Sequence, residues 1–192
     1  PMVLGGPLPH VISAKAVAFQ EASTTKFKEY AHQIVINAAG LAEKLMERDV
    51  SVLTGGTDNH LILLDVTPFG ITGRQAEAAL RDAGITLNRN SLPFDTNGPW
   101  YTSGLRLGTP ALTTLGMTIQ EMSEIADIVK LVLSNIQPET INRGHNVGKI
   151  SKARYRLKRD VLKEARTRTS DLLNRFPVYP ELDIEFLKEA FV

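Results

Sequence analysis

The chain has 192 residues, a hydrophobic share of 43%, a charged share of 22% and a formal net charge of +1, which describes an ordinary globular protein of one domain or one and a half. The even charge points away from bulk nucleic-acid or membrane binding, zero cysteines exclude a disulfide framework and a thiolate metal site, and no apolar run approaches a membrane span. Without a basic-then-apolar leader a cytoplasmic location is expected, and the opening Pro1-Met2-Val3, with no initiator methionine before it, reads as a fragment or a processed chain.

In chain order, Gly5-Gly6-Pro7-Leu8-Pro9 leads into a helix. Two glycines let backbone amides approach an anion closely, although a plain turn uses the same residues. Small and apolar residues from His10 to about Ala22 predict a buried helix. Ser23, Thr24 or Thr25 then caps a second one, with Phe27, Tyr30, Ile34, Ala38, Leu41 and Leu45 on one face. Val50 to Leu53 and His60 to Val66 predict two strands joined by a turn-forming run into a hairpin. Asp58, Asn59 and His60 serve either a site or an Asx turn there. Thr72-Gly73-Arg74-Gln75 is a capping box for a helix through Arg81 that Gly84 ends, and Ile85 to Leu87 is a third short strand.

The next stretch, Thr86 to Pro110, concentrates the residues suited to chemistry. Asn88-Arg89-Asn90-Ser91 and Asp95-Thr96-Asn97-Gly98-Pro99 form a polar loop with Phe94, Trp100 and Tyr101 interleaved. Gly104 to Gly108 then alternates so that Leu105 and Leu107 face one side of a strand and Arg106 the other. A guanidinium on a rigid element grips a carboxylate in two parallel hydrogen bonds, and amides beside aromatics suit a heteroaromatic ring. A surface loop with a salt-bridged arginine is the alternative.

Beyond it, Ala111 to Leu115 makes a short helix. Thr118-Ile119-Gln120-Glu121 opens a helix with Ile125, Ile128, Val129, Val132, Leu133 and Ile136 in its stripe, Met122 near it as core, and Pro138 as its stop. Asn142 to Asn146 is loop-like. Lys149 to Arg168 carries nine basic residues against Asp160 and Glu164, predicting a basic helical segment over 149–175, solvated or facing a subunit, with nucleic-acid binding the lesser reading. Ile184, Phe186, Leu187 and Phe191 make a candidate docking tail. The four histidines are scattered, and no HExxH, P-loop, dinucleotide or Ser-His-Asp pattern occurs.

Four blocks, GGPLPHVISAKAVAFQEA (5–22), LTGGTDNHLILLD (53–65), TLNRNSLPFD (86–95) and TSGLRLGTPALTTLGM (102–117), with RFPVYP at 175–180, resemble the C-terminal part of serine hydroxymethyltransferase. The resemblance implies an α/β fold, the C-terminal small domain of a fold-type I pyridoxal 5'-phosphate transferase, with helices packed on a small, mostly antiparallel sheet. Residues 1–48 would end the large cofactor domain and 49–192 form the small domain. It implies exchange of a hydroxymethyl group between serine and tetrahydrofolate, giving glycine, with the cofactor as electron sink. Arg106 would bind the substrate carboxylate. Gly5 and Gly6 would offer backbone N–H groups to the cofactor phosphate of a neighbouring subunit, so a homodimer or tetramer is expected. Asn90, Gly98, Pro99 and Trp100 match positions used around folate. No lysine sits in the setting of the family's Schiff-base lysine, and the aspartate and histidine that flank the ring are missing too, so the chain alone is expected to be inactive. Leu4 stands where many members carry glutamine. The other readings are another fold-type I enzyme and a non-catalytic interaction module using the basic helix.

Overall fold

The computed structural model describes residues 3, 5–182, 186 and 189. Helices α1 (Pro9–Ala22) and α2 (Thr25–Met46) come first, then strands β1 (Ser51–Val52) and β2 (Leu61–Asp65), helix α3 (Gly73–Asp82), strand β3 (Asn88–Asn90), the short helix α4 (Gly98–Tyr101), strand β4 (Gly104–Gly108), and helices α5 (Pro110–Thr114) and α6 (Ile119–Asn135). Strands β5 (Gln137–Thr140) and β6 (Ile150–Arg156) and helix α7 (Arg159–Arg175) complete it. The main sheet has the order β1-β2-β4-β3 and every pair in it is antiparallel, as the sequence predicts. Inward-facing Ile62, Leu64 and Leu105 meet α2, α3 and α6 in one apolar core, where Leu41, Leu45, Leu80, Met122, Ile128 and Leu133 are buried. This is helices stacked on one face of a sheet, with the other face left open.

Local chemistry sets the element ends. Thr24 caps α2 by accepting from the Phe27 amide, and both capping boxes form: the Thr72 amide donates to Gln75 Oε1 at 2.9 Å, and the Thr118 amide to Glu121 Oε2 at 2.8 Å. Gly84 follows α3 with a φ of +89°, a conformation that favours glycine.

Four expectations need correction. Helix α1 forms but has no buried residue, because among the described residues it leans mainly on α2 and a single neighbour cannot cover its apolar side chains. The third strand is not Ile85–Leu87 but β3, three residues later; Asn88, Arg89 and Asn90 pair with Arg106, Leu105 and Gly104 of β4, and ladder hydrogen bonds override their weak strand propensity. The segment 149–175 is not one helix. Its first part is β6, paired with β5, and helix begins only at Arg159. Likewise α6 stops at Asn135, and Pro138 lies within β5 opposite Tyr155. Leu4 and the tail positions Ile184, Leu187 and Phe191 lie outside the described residues.

Candidate functional site

The site begins with the alternation of β4. Leu105 points into the core at 0% exposure, so Arg106 must emerge on the open face, between Leu63 of β2 and Asn88 of β3. Arg106 Nε donates to Asn88 Oδ1 at 3.1 Å, and among the described residues no carboxylate pairs with the guanidinium. This removes the salt-bridged alternative and leaves the forked end free for an anion. Asn90 stands on the same open face, two residues from Asn88, with its Nδ2 donating to Ser91 O at 2.8 Å. Arg106 and Asn90 line one cleft of about 710 Å³ together with Asp58, Asn59, Leu61 and Leu63. No lysine lines it.

Both readings of the 58–60 cluster hold in part. Asn59 Oδ1 accepts from the Leu61 amide at 2.8 Å, an Asx turn, while Asp58 and Asn59 also face the cleft. His60 is exposed and does not line it.

The loop between β3 and β4 has an organiser that composition alone could not single out. The Asp95 carboxylate accepts from the amides of Leu92, Asn97 and Ser103 at 3.1, 2.8 and 2.7 Å and from the Ser103 hydroxyl at 2.7 Å. Burial opposes its ionisation, but the Ser103 hydroxyl and those amides outweigh it and hold the carboxyl below its ordinary value. Asp95 therefore serves the loop rather than a ligand. The loop also needs left-handed backbone at Phe94 and Thr102, with φ of +58° and +56°, which a fixed hub can enforce. Gly104 accommodates the fold of this loop: a Cβ there would meet Leu92 Cδ2 and lie 2.9 Å from Asn90 O.

The remaining predicted residues lie elsewhere. Gly98, Pro99 and Trp100 form α4, and none of them lines the Arg106 cleft. Trp100 is 61% exposed and sits between two guanidinium groups, Arg74 at 5.1 Å and Arg89 at 5.8 Å from its ring centroid. Arg89 is itself held by Glu77 at 2.6 Å. Gly5 and Gly6 are exposed, with open space where a Cβ would stand. Among the described residues there is no group of three potential metal ligands and no helix long and apolar enough to cross a membrane.

Comparison with known proteins identifies the family of the chain. A family profile described as serine hydroxymethyltransferase matches residues 1–129. The chain is 54% identical over 187 residues to the serine hydroxymethyltransferase of Chlamydia muridarum, covering 97% of this chain and 37% of that protein. It is 53% identical over 191 residues to that of Treponema pallidum, covering 100% and 33%. The chain thus spans about a third of the length of the curated relatives it matches. With this profile over two thirds of its length, the chain belongs to the serine hydroxymethyltransferase family.

Proposed function

We propose that the protein to which this chain contributes transfers a hydroxymethyl group reversibly between serine and tetrahydrofolate, giving glycine and 5,10-methylenetetrahydrofolate. The observation that carries this reading is Arg106: its Nε is fixed by Asn88, its fork is unpaired, and it looks into a cleft it shares with Asn90. A serine or glycine carboxylate suits that fork, and a bidentate grip also fixes how the rest of the amino acid is turned. Asn90 can hydrogen-bond the polar edge of the folate, and Gly98, Pro99 and Trp100 would flank it. In this reading residues 1–48 end the large domain and 49–192 are the small one, in a homodimer or tetramer.

Pyridoxal 5'-phosphate, when bound, supplies the electron sink that such chemistry needs. The residues of this chain do not fit that group unaided, since the cleft offers a guanidinium and amides but no lysine. The exposed Gly5 and Gly6 amides are assigned to the cofactor phosphate of a neighbouring subunit. The role of this chain is therefore to bind and orient the amino acid, and alone it is expected to be inactive.

Arg106→Lys in the full-length enzyme tests the reading. A point charge cannot replace two parallel bonds, so KM for serine should rise about 10- to 100-fold. An unchanged KM for serine would remove Arg106 from the site.

A further inference from the structure

Strand register chooses the neighbours of Arg106 on the open face of the sheet. On one side it stands opposite Leu63 of β2, an apolar side chain with no acceptor, and on the other opposite Asn88 of β3. Directly opposed side chains of an antiparallel pair lie about 5 Å apart at Cβ, so whatever occupies position 88 meets the stem of the guanidinium. Asn88 Oδ1 accepts from Arg106 Nε at 3.1 Å. Among the described residues this leaves the two outer nitrogens, the pair that can grip a carboxylate end-on, without a partner.

Both the orientation and the charge of that acceptor are set. Asn88 Nδ2 donates to Arg89 O at 2.7 Å. A turned amide would aim its N–H groups at the guanidinium and set two carbonyl oxygens against each other, so Oδ1 is the atom that faces Arg106. Two acids share this side of the sheet, and both are engaged by their own neighbours. Asp65, opposite Gly104 of β4, accepts from the Thr67 amide and hydroxyl at 2.8 and 2.7 Å. Asp58, which lines the same cleft as Arg106, accepts from Asn59 Nδ2 at 3.1 Å. Arg106 is thus braced by a neutral acceptor, which can aim a guanidinium without cancelling its charge.

We infer that Asn88 is a positioning residue for the substrate carboxylate: fixed in register opposite Arg106, it holds Nε and turns the two outer nitrogens toward the incoming anion. This rests on the reading that Arg106 binds the carboxylate of serine or glycine. An aspartate at 88 has the shape of asparagine but forms the ion pair itself, so the substrate carboxylate must compete with it for the fork. An alanine leaves the guanidinium free to swing, and binding then has to order it.

The test uses the full-length holoenzyme. KM for serine should rise about three- to tenfold in Asn88→Ala, as expected for one lost hydrogen bond to a charged group, and about 10- to 50-fold in Asn88→Asp. Asn88→Gln keeps a neutral acceptor on a longer stem and should lose less than Asn88→Asp, although aspartate is nearer in shape; a merely structural role gives the reverse order. KM for tetrahydrofolate should stay unchanged in these variants, even though Asn90 lies on the same strand. Adding Asn88→Ala to Arg106→Lys should change little further, because lysine has no Nε to hold. A serine KM that matches the wild type in both Asn88→Ala and Asn88→Asp overturns the inference. So does a parallel rise of both KM values, which would make Asn88 a support of β3 alone. If Arg106→Lys itself leaves KM for serine unchanged, the carboxylate reading fails and this inference with it; a raised KM in Arg106→Lys beside unmoved Asn88 variants fails only the inference.

Discussion

Asp95 shows how one carboxylate can fix a loop without touching a ligand. Four donors converge on it, two of them from Ser103, which ties the start of the loop to the strand carrying Arg106. Asp95→Asn removes the charge that strengthens those bonds and turns one acceptor into a donor. A loss of about 1–3 kcal/mol in thermal or denaturant unfolding is expected. The pH dependence follows from the direction of the shift. The folded-state carboxyl lies below its ordinary value, so its contribution is fully present above about pH 3.9, the unfolded value, and is lost as pH falls through the lower folded one. Wild type and Asp95→Asn should therefore converge in stability at strongly acid pH; a constant gap would contradict the hub role.

At the level of elements, two ion-pair staples join the helices behind the sheet. Arg48, just past α2, donates to both Asp127 carboxylate oxygens of α6 at 2.6 and 3.0 Å, and Arg168 of α7 donates to Glu124 of α6 at 2.8 and 2.9 Å. These bonds hold Asp127 and Glu124 below their ordinary values. The staples are thus complete above the unfolded carboxylate range and fail as pH falls below it. Asp127 is 42% and Glu124 35% exposed, so solvent screening limits each pair to about 0.5–1 kcal/mol. Arg168→Met should lower stability at pH 7 by that amount and leave it unchanged at strongly acid pH, as unfolding midpoints will report. The α3–β6 joint is different, because Gln75 is 1% exposed. Gln75→Met keeps the volume but strips the donors from the carbonyls of Ser151 and Arg154, at a cost of about 2–4 kcal/mol. Amide exchange should speed up through 137–156 while the α2–α6 core stays protected; uniform loss of protection would show that the hairpin is no separate unit.

For the whole molecule, the informative surface is α1. Leu8 just ahead of it and Ile12 and Phe19 along it, 55%, 62% and 72% exposed, share one face, with Val17, 59% exposed, on the opposite side; the shared face is an apolar stripe that an isolated domain would not carry without a partner. The chain spans about a third of the length of its relatives. Expressed alone, the 192-residue chain should self-associate with concentration, and removal of residues 1–23 should abolish that without shifting the melting of the core, since α1 buries no side chain. Light scattering and calorimetry on the intact and shortened chains check both points. Monomeric behaviour of the intact chain would show that the stripe is tolerated in water.

What the sequence alone determined is whatever local chemistry decides. Thr72 and Thr118 announce their helices because a capping box needs only residues three apart, and the alternation of Leu105, Arg106 and Leu107 fixes which face of β4 carries the cation. The same alternation runs from Ser151 to Lys158, but a dense run of lysine and arginine suits an exposed helix face equally well, so pattern alone does not separate the two. Tertiary structure alone decided the rest. Polar Asn88 to Asn90 becomes a strand only because β4 offers its ladder, and Asp95 becomes a hub only because the loop returns Ser103 to it. The apolar residues of α1 stay exposed for the same reason, since burial belongs to neighbours and not to the residues themselves. Neighbours distant in the chain leave no periodic trace in the sequence, so only the folded molecule brings Arg106, Asn88 and Asn90 onto one open face.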